Sequence, residues 1–304
     1  MKSIEKIRFS WRDTALAIGS LALVLALSST DLLAGPPETS EAGKLHVALN
    51  GDMPMTGLDA DGKLIGTDGG LMVMIAERLG LEVVPHMMDW SAEIQSTKQG
   101  KVDIMHGAMG WIEPRTKIML LTDPIYYFGT STAQKKTNNW TTFADMKGRI
   151  VGTVSGFTLV PELKKVEGIG EVKLYDTTDG AVRDLLAGRI DMAILDPPLI
   201  QLAINENPDW NLHQLPVTPE PSKYPIMSQK YNVIFGINLK LKGLHDAINK
   251  EIQKVWAECA NVKLMEEYGL SDKSWFDPPP QSENIRIGVD RAADWQAPNG
   301  DHCF

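Results

Sequence analysis

The chain repeats one pattern: a short apolar run, a stretch whose apolar residues recur at helical spacing, and another short apolar run. Residues 45–49 are apolar, 71–79 carry the helical spacing up to Gly80, and 81–84 are apolar again. A second helix is expected over 92–99. The rhythm returns as strand 150–154, helix 158–166, strand 172–175, helix 181–187 and strand 192–195. Parallel neighbours in a sheet need a crossover, usually a helix, so this alternation specifies an α/β fold with mostly parallel sheets. At 304 residues the chain exceeds one typical domain, and its 43% hydrophobic content can fill two ordinary cores.

Residues 101–127 hold the segment richest in chemistry. An apolar run at 102–105 gives way to His106-Gly107-Ala108-Met109-Gly110, too rich in glycine to continue a strand. Such a loop gives a ligand access to bare backbone. Pro114 then precedes Arg115, as proline does at a helix start, and Arg115 is the only guanidinium in the segment. Its planar fork can hold a carboxylate through two parallel hydrogen bonds, which lysine cannot do.

Several motifs occur in an order that resembles a known family. GTDGGLMVMIAERLGLEV from Gly66 and TDPIYY from Thr122 are similar to the first lobe of the type II periplasmic solute-binding proteins. MKGRIVGTVSGFT from Met146 and LAGRIDMAILD from Leu186 are similar to the second lobe. Within that group the chain most resembles the receptors of polar amino acid ABC importers, the extracellular solute-binding family 3, over residues 44–276. The resemblance implies a two-lobed fold, each lobe a mostly parallel sheet flanked by helices, with two hinge crossovers. Lobe one is then discontinuous, 44–131 plus 233–276, and lobe two spans 132–232. Residues 277–304 form an extension beyond the family's usual length.

The resemblance also implies roles. Arg115 corresponds to the family's carboxylate-binding arginine. Asp196, after the buried run Ala193-Ile194-Leu195, corresponds to the aspartate that accepts the ligand's ammonium; otherwise it is a helix cap before Pro197. Thr158, near a helix start, corresponds to the residue that completes carboxylate binding. Ala108 and Gly110 contribute loop backbone. Trp90 falls where relatives carry large residues, and Phe157 replaces a frequent threonine.

Departures accompany these matches. Gly107, Gly110 and Ile112 stand where relatives usually carry hydroxyl residues. Asp52 stands where a stacking aromatic is usual, and it either favours a cationic ligand group or binds backbone in its own turn. Trp90 and Trp111 are the candidates for the missing aromatic wall.

Charge and motifs exclude other classes. A formal charge of −9 argues against nucleic acid or an anionic membrane as partner. Lys2, Lys6, Arg8 and Arg12 precede an apolar run at 15–27, and Leu32-Leu33-Ala34 ends in a small residue, so 1–34 reads as a cleaved signal peptide. Export, to the periplasm where an outer membrane exists, makes a disulfide between the only two cysteines, Cys259 and Cys303, the preferred reading over two separate thiols. His46, His86, His106, His213, His245 and His302 lack metal-site spacing, and no Walker lysine pattern or catalytic triad is evident, so neither metal nor cofactor is expected.

The function expected is therefore a monomeric, non-enzymatic receptor. It closes on an amino acid or related small zwitterionic or cationic solute and presents it to an ABC permease in the inner membrane. Two alternatives use the same scaffold: an enzyme resembling the periplasmic cyclohexadienyl dehydratases, and a binding-protein-like partner of an exported quinoprotein dehydrogenase or a sensor.

Overall fold

A computed structural model describes residues 35–270 and 272–304. The expected signal peptide, 1–34, lies outside the described residues. Two five-stranded sheets organise the rest. The first runs Glu82–Met87, Lys44–Leu49, Ile104–Met105, Gly236–Ile237, Leu120–Leu121. Its first three strands are parallel, and Gly236–Ile237 is antiparallel to both of its neighbours. The second runs Glu171–Tyr175, Ile150–Val154, Met192–Ile194, Ser131–Lys135, Leu212–Pro216. It repeats the plan: three parallel strands, then Ser131–Lys135 antiparallel to both neighbours. A two-stranded antiparallel ribbon, Tyr126–Phe128 with Tyr231–Val233, lies where the chain leaves one sheet and returns from the other.

Local sequence explains the elements. Leu45, Val47, Ala48 and Leu49 are fully buried, as expected for a strand covered on both faces. The helix Thr67–Arg78 covers that sheet with Leu71, Met72, Ile75 and Ala76. The helix Trp90–Gln99 starts where Asp89 accepts the amide of Ala92 at 2.9 Å. Thr177 opens the helix Thr178–Leu186 in the same way, through the amide of Gly180.

Two elements depart from a simple periodic reading. The helix expected over 158–166 shortens to Val160–Leu163. Lys165 and Val166 bond three residues back rather than four, and the chain reverses at Gly168. The apolar stretch 232–239 forms not one long strand but two short ones, Tyr231–Val233 and Gly236–Ile237. Ile234 and Phe235 between them change partners, bonding Met109 O and Thr122 Oγ1, because the chain is passing from the ribbon into the first sheet.

The C-terminal extension packs against the first lobe. Arg286, fully buried, donates to Thr122 O (3.0 Å) and Asp290 Oδ2 (2.7 Å). Arg291 bonds Asp123 Oδ1 (2.7 Å) and Leu121 O (2.8 Å), and Tyr127 donates to Pro298 O. Burying a guanidinium is costly unless it is paired, and the ion pairs and carbonyl bonds of Arg286 and Arg291 hold the extension on strands 120–128, although Arg286 Nη1 is buried without a partner among the described residues. A disulfide joins Cys259 to Cys303, 44 positions apart, and anchors its far end. Reducing that bond is expected to lower stability by about 2–4 kcal/mol, since it releases a long loop in the unfolded chain. Urea unfolding with and without a phosphine reductant measures this; coincident curves would contradict it.

Candidate functional site

The glycine-broken loop is held from behind. After strand Ile104–Met105, His106 is fully buried with Nε2 2.8 Å from Thr56 Oγ1, and burial pushes its pKa down to about 3, so it is neutral. The next two amides, Gly107 N and Ala108 N, donate to Asp68 Oδ2 at 3.2 and 2.8 Å. Both residues have positive φ, 110° and 53°, and the buried Asp68 carboxylate stabilises this uncommon path. The Ala108 amide is therefore committed to Asp68, and Ala108 also lines the cavity.

Gly110 follows at a point where the lobes touch. A Cβ there would lie 3.0 Å from the Tyr231 ring and 3.3 Å from Thr158 Cγ2. That close approach is the physical reason why this chain has no side chain at 110. The short helix Glu113–Thr116 then turns Arg115 inward, 5% exposed. Its guanidinium donates through Nη1 to Gly110 O (2.5 Å) and through Nη2 to Gly156 O (3.1 Å), the second a contact across the lobes. The guanidinium also lies 5.7 Å from the centre of the Trp90 ring. Burial lowers its pKa to about 10, partly offset by Asp196, so it stays charged at neutral pH.

From the second lobe, the turn after strand Ile150–Val154 supplies Phe157 and Thr158, and Asp196 follows strand Met192–Ile194. Asp196 stands at the start of helix Pro197–Glu206 but makes no side-chain cap there. Its carboxylate instead accepts a short hydrogen bond from the Tyr231 hydroxyl. Burial pushes its pKa up to about 7; the Tyr231 bond and Arg115 oppose this, while Asp52 and Asp68 add to it. Trp90 packs edge-on against Phe157 and donates Nε1 to Gly156 O at 3.4 Å.

Of the residues expected at the site, Trp90, Ala108, Gly110, Arg115, Phe157, Thr158 and Asp196 line one cavity, together with Leu159 and Tyr231. The cavity volume is about 20 Å³, roughly the room of one water. Asp52 does not line it. Its carboxylate accepts from Thr178 Oγ1 of the second lobe and from Asn50 Nδ2, both at 2.9 Å. Trp111 does not line it either: it is buried, donating Nε1 to Asp290 Oδ2 at 2.9 Å under the Arg286 guanidinium. Leu159 and Tyr231 were missed. Tyr231 sits at the edge of a proline-rich stretch with little periodicity, and only its pairing opposite Phe128 brings it to the site. The hydroxyl that reaches Asp196 thus comes from Tyr231 and not from the loop.

The buried carboxylates set a pH dependence. Burial raises Asp68, like Asp196, to about 7 despite its amide bonds, whereas an unfolded aspartate titrates near ~3.9. The folded state therefore binds protons that the unfolded state has released, so stability falls as pH rises from about 4 through about 7. Thermal unfolding between pH 5 and 8 should show this decline. Asp196→Asn should flatten it, and an unchanged slope would show that Asp196 is not a source.

The family of bacterial extracellular solute-binding proteins, family 3, matches residues 45–271. The probable amino-acid-binding protein YxeM of Bacillus subtilis (strain 168) is 23% identical over 265 residues, covering 85% of this chain and 95% of that protein. The histidine-binding periplasmic protein of Salmonella typhimurium (strain LT2) is 27% identical over 260 residues, 82% of this chain and 95% of its own. An ancestral arginine-binding protein bound to glutamine superposes with a TM-score of 0.67 at 26% identity, covering 75% of this chain and 98% of that one. With the two-sheet architecture and an arginine and an aspartate of opposite lobes around one cavity, the match over most of the chain leads to one conclusion: this protein belongs to the bacterial extracellular solute-binding proteins, family 3.

Proposed function

We propose that the protein is the periplasmic receptor of an ABC importer, exported by a cleaved signal peptide and monomeric, and that it captures an amino acid by lobe closure. In this proposal 44–131 with 233–276 make one moving body and 132–232 the other. The observation that carries it is the opposition of Arg115 and Asp196 across one cavity, a cation and an acid suited to the two ends of a zwitterion. Arg115, Phe157, Thr158 and Asp196 are the proposed binding residues, with Trp90 as a wall and the 108–110 loop as a floor.

Chemistry defines how the ligand enters. An amino acid is larger than a cavity of about 20 Å³, so the lobes must part and Arg115 must exchange carbonyl partners for the ligand carboxylate. Gly110 O and Gly156 O belong to different lobes, so breaking the second bond and opening the cleft are one event. A carboxylate that replaces two neutral carbonyls makes stronger, charge-assisted bonds, and that difference biases the equilibrium toward a liganded closed form.

Arg115→Ala is expected to lower affinity for the amino acid at least about tenfold, the scale of a charged hydrogen bond at ~1.5–3 kcal/mol. The ligand is first identified by native mass spectrometry of protein purified without refolding, and its affinity is then measured by calorimetry. Equal affinities for variant and parent would remove Arg115 from the site. Gly110→Val should also weaken binding, because its side chain meets Tyr231 and Thr158 and keeps the lobes apart. A larger radius of gyration of the liganded variant in small-angle scattering checks that cause.

A further inference from the structure

The C-terminal extension touches the walls of the cavity from behind at two points, and both lie beyond residues 45–271, the part of the chain that matches the family. The first is Asp290. Its carboxylate accepts Trp111 Nε1 at 2.9 Å and is held in turn by Arg286, through Nε at 3.1 Å and Nη2 at 2.7 Å. Trp111 follows Gly110, which lines the cavity and whose carbonyl accepts Arg115 Nη1. The buried indole N–H would be left unsatisfied without Asp290, so this one bond decides where the backbone at 110–111 sits.

The second point is Ser282, 1% exposed, whose hydroxyl donates a short hydrogen bond to Oδ1 of the fully buried Asn232. Asn232 lies in strand Tyr231–Val233, directly after Tyr231, whose own hydroxyl donates to Asp196. The backbone oxygen of Asn232 also accepts the Trp111 amide at 2.8 Å, so the two points are joined. One line of contacts therefore runs from Asp290 through Trp111 and Gly110 to Arg115. The other runs from Ser282 through Asn232 and Tyr231 to Asp196.

We infer that Asp290 and Ser282 are positioning residues of the binding site. Asp290 sets the Gly110 carbonyl and with it the Arg115 guanidinium; Ser282 sets strand Tyr231–Val233 and with it the hydroxyl on Asp196. This rests on the receptor reading above, in which Arg115 and Asp196 hold the two ends of an amino acid. Binding groups must be held within about half an ångström of their productive places, so contacts one residue removed from the cavity change affinity without touching the ligand. The extension then tunes the grip on both ends of the ligand from outside the shared fold.

The probe for the test is the one of the twenty standard L-amino acids that most raises the melting temperature of the parent protein, together with its α-carboxamide. Trp111→Phe removes the indole donor and keeps an aromatic ring, and calorimetry should show affinity for the amino acid lowered at least about threefold, the scale of one hydrogen bond. The loss should be smaller for the carboxamide, which has no carboxylate for Arg115. Ser282→Ala should weaken both probes alike, since it acts at the ammonium end. Asp290→Ala combined with Trp111→Phe should lose no more affinity than the worse of the two alone, and Asp290→Asn, which keeps an acceptor for the indole, should recover part of it. A purely structural extension would instead lower the melting temperature of Trp111→Phe and Ser282→Ala and leave both affinities unchanged, and that result overturns the inference. If Arg115→Ala weakens the amino acid while Trp111→Phe and Ser282→Ala do not, the receptor reading stands and the positioning role falls. If no amino acid binds, both fall.

Discussion

A buried guanidinium must have its donors filled, and the way Arg115 fills them ties the two halves of this protein together. One bond goes to Gly110 O of its own loop and one to Gly156 O of the other lobe. Trp90 donates to the same Gly156 carbonyl, so a single backbone oxygen of the second lobe receives the closing contacts of two side chains from the first. Thr178 to Asp52 adds a third contact between lobes. None of these is a bond between opposite full charges. Each is weaker than an ion pair between Arg115 and a carboxylate, the difference on which the proposed ligand-dependent closure rests.

The loop that presents the site is stabilised away from the cavity. Asp68 at the start of one helix takes two amides of the loop, and neutral His106 bonds Thr56 beneath it. On the far side, Trp111 is fixed by Asp290, which is itself fixed by Arg286. The C-terminal extension thus acts on the loop one residue after Gly110, besides covering strands 120–128. It is part of the first lobe's structure and not an appendage to it, and the Cys259–Cys303 bond holds its end in place.

Much of this was legible in the residues. Strand Ile150–Val154 was read to the residue, and Lys44–Leu49 and Trp90–Gln99 within a position or two, because apolar periodicity and caps are local properties. Arg115, Thr158 and Asp196, which line one cavity, stand in motifs at the ends of strands or the starts of helices and so were visible as candidates. The misses have a common origin. The division of the chain at 234–235 follows from a change of hydrogen-bonding partner, and the direction of Trp111 follows from Asp290, 179 positions away. Neither leaves a local trace.

By itself, the sequence determined the α/β alternation, the duplicated plan of two sheets, and the presence of one arginine and one aspartate suited to a small dipolar molecule. Tertiary structure alone decided that Tyr231 and not a loop hydroxyl bonds Asp196, that Asp52 bonds across to Thr178, and that among the described residues Glu93 has no hydrogen-bond partner. The physical reason is range: periodicity and capping act over a few neighbouring residues, whereas the balance of buried charges depends on which distant side chains folding brings within a hydrogen bond of one another.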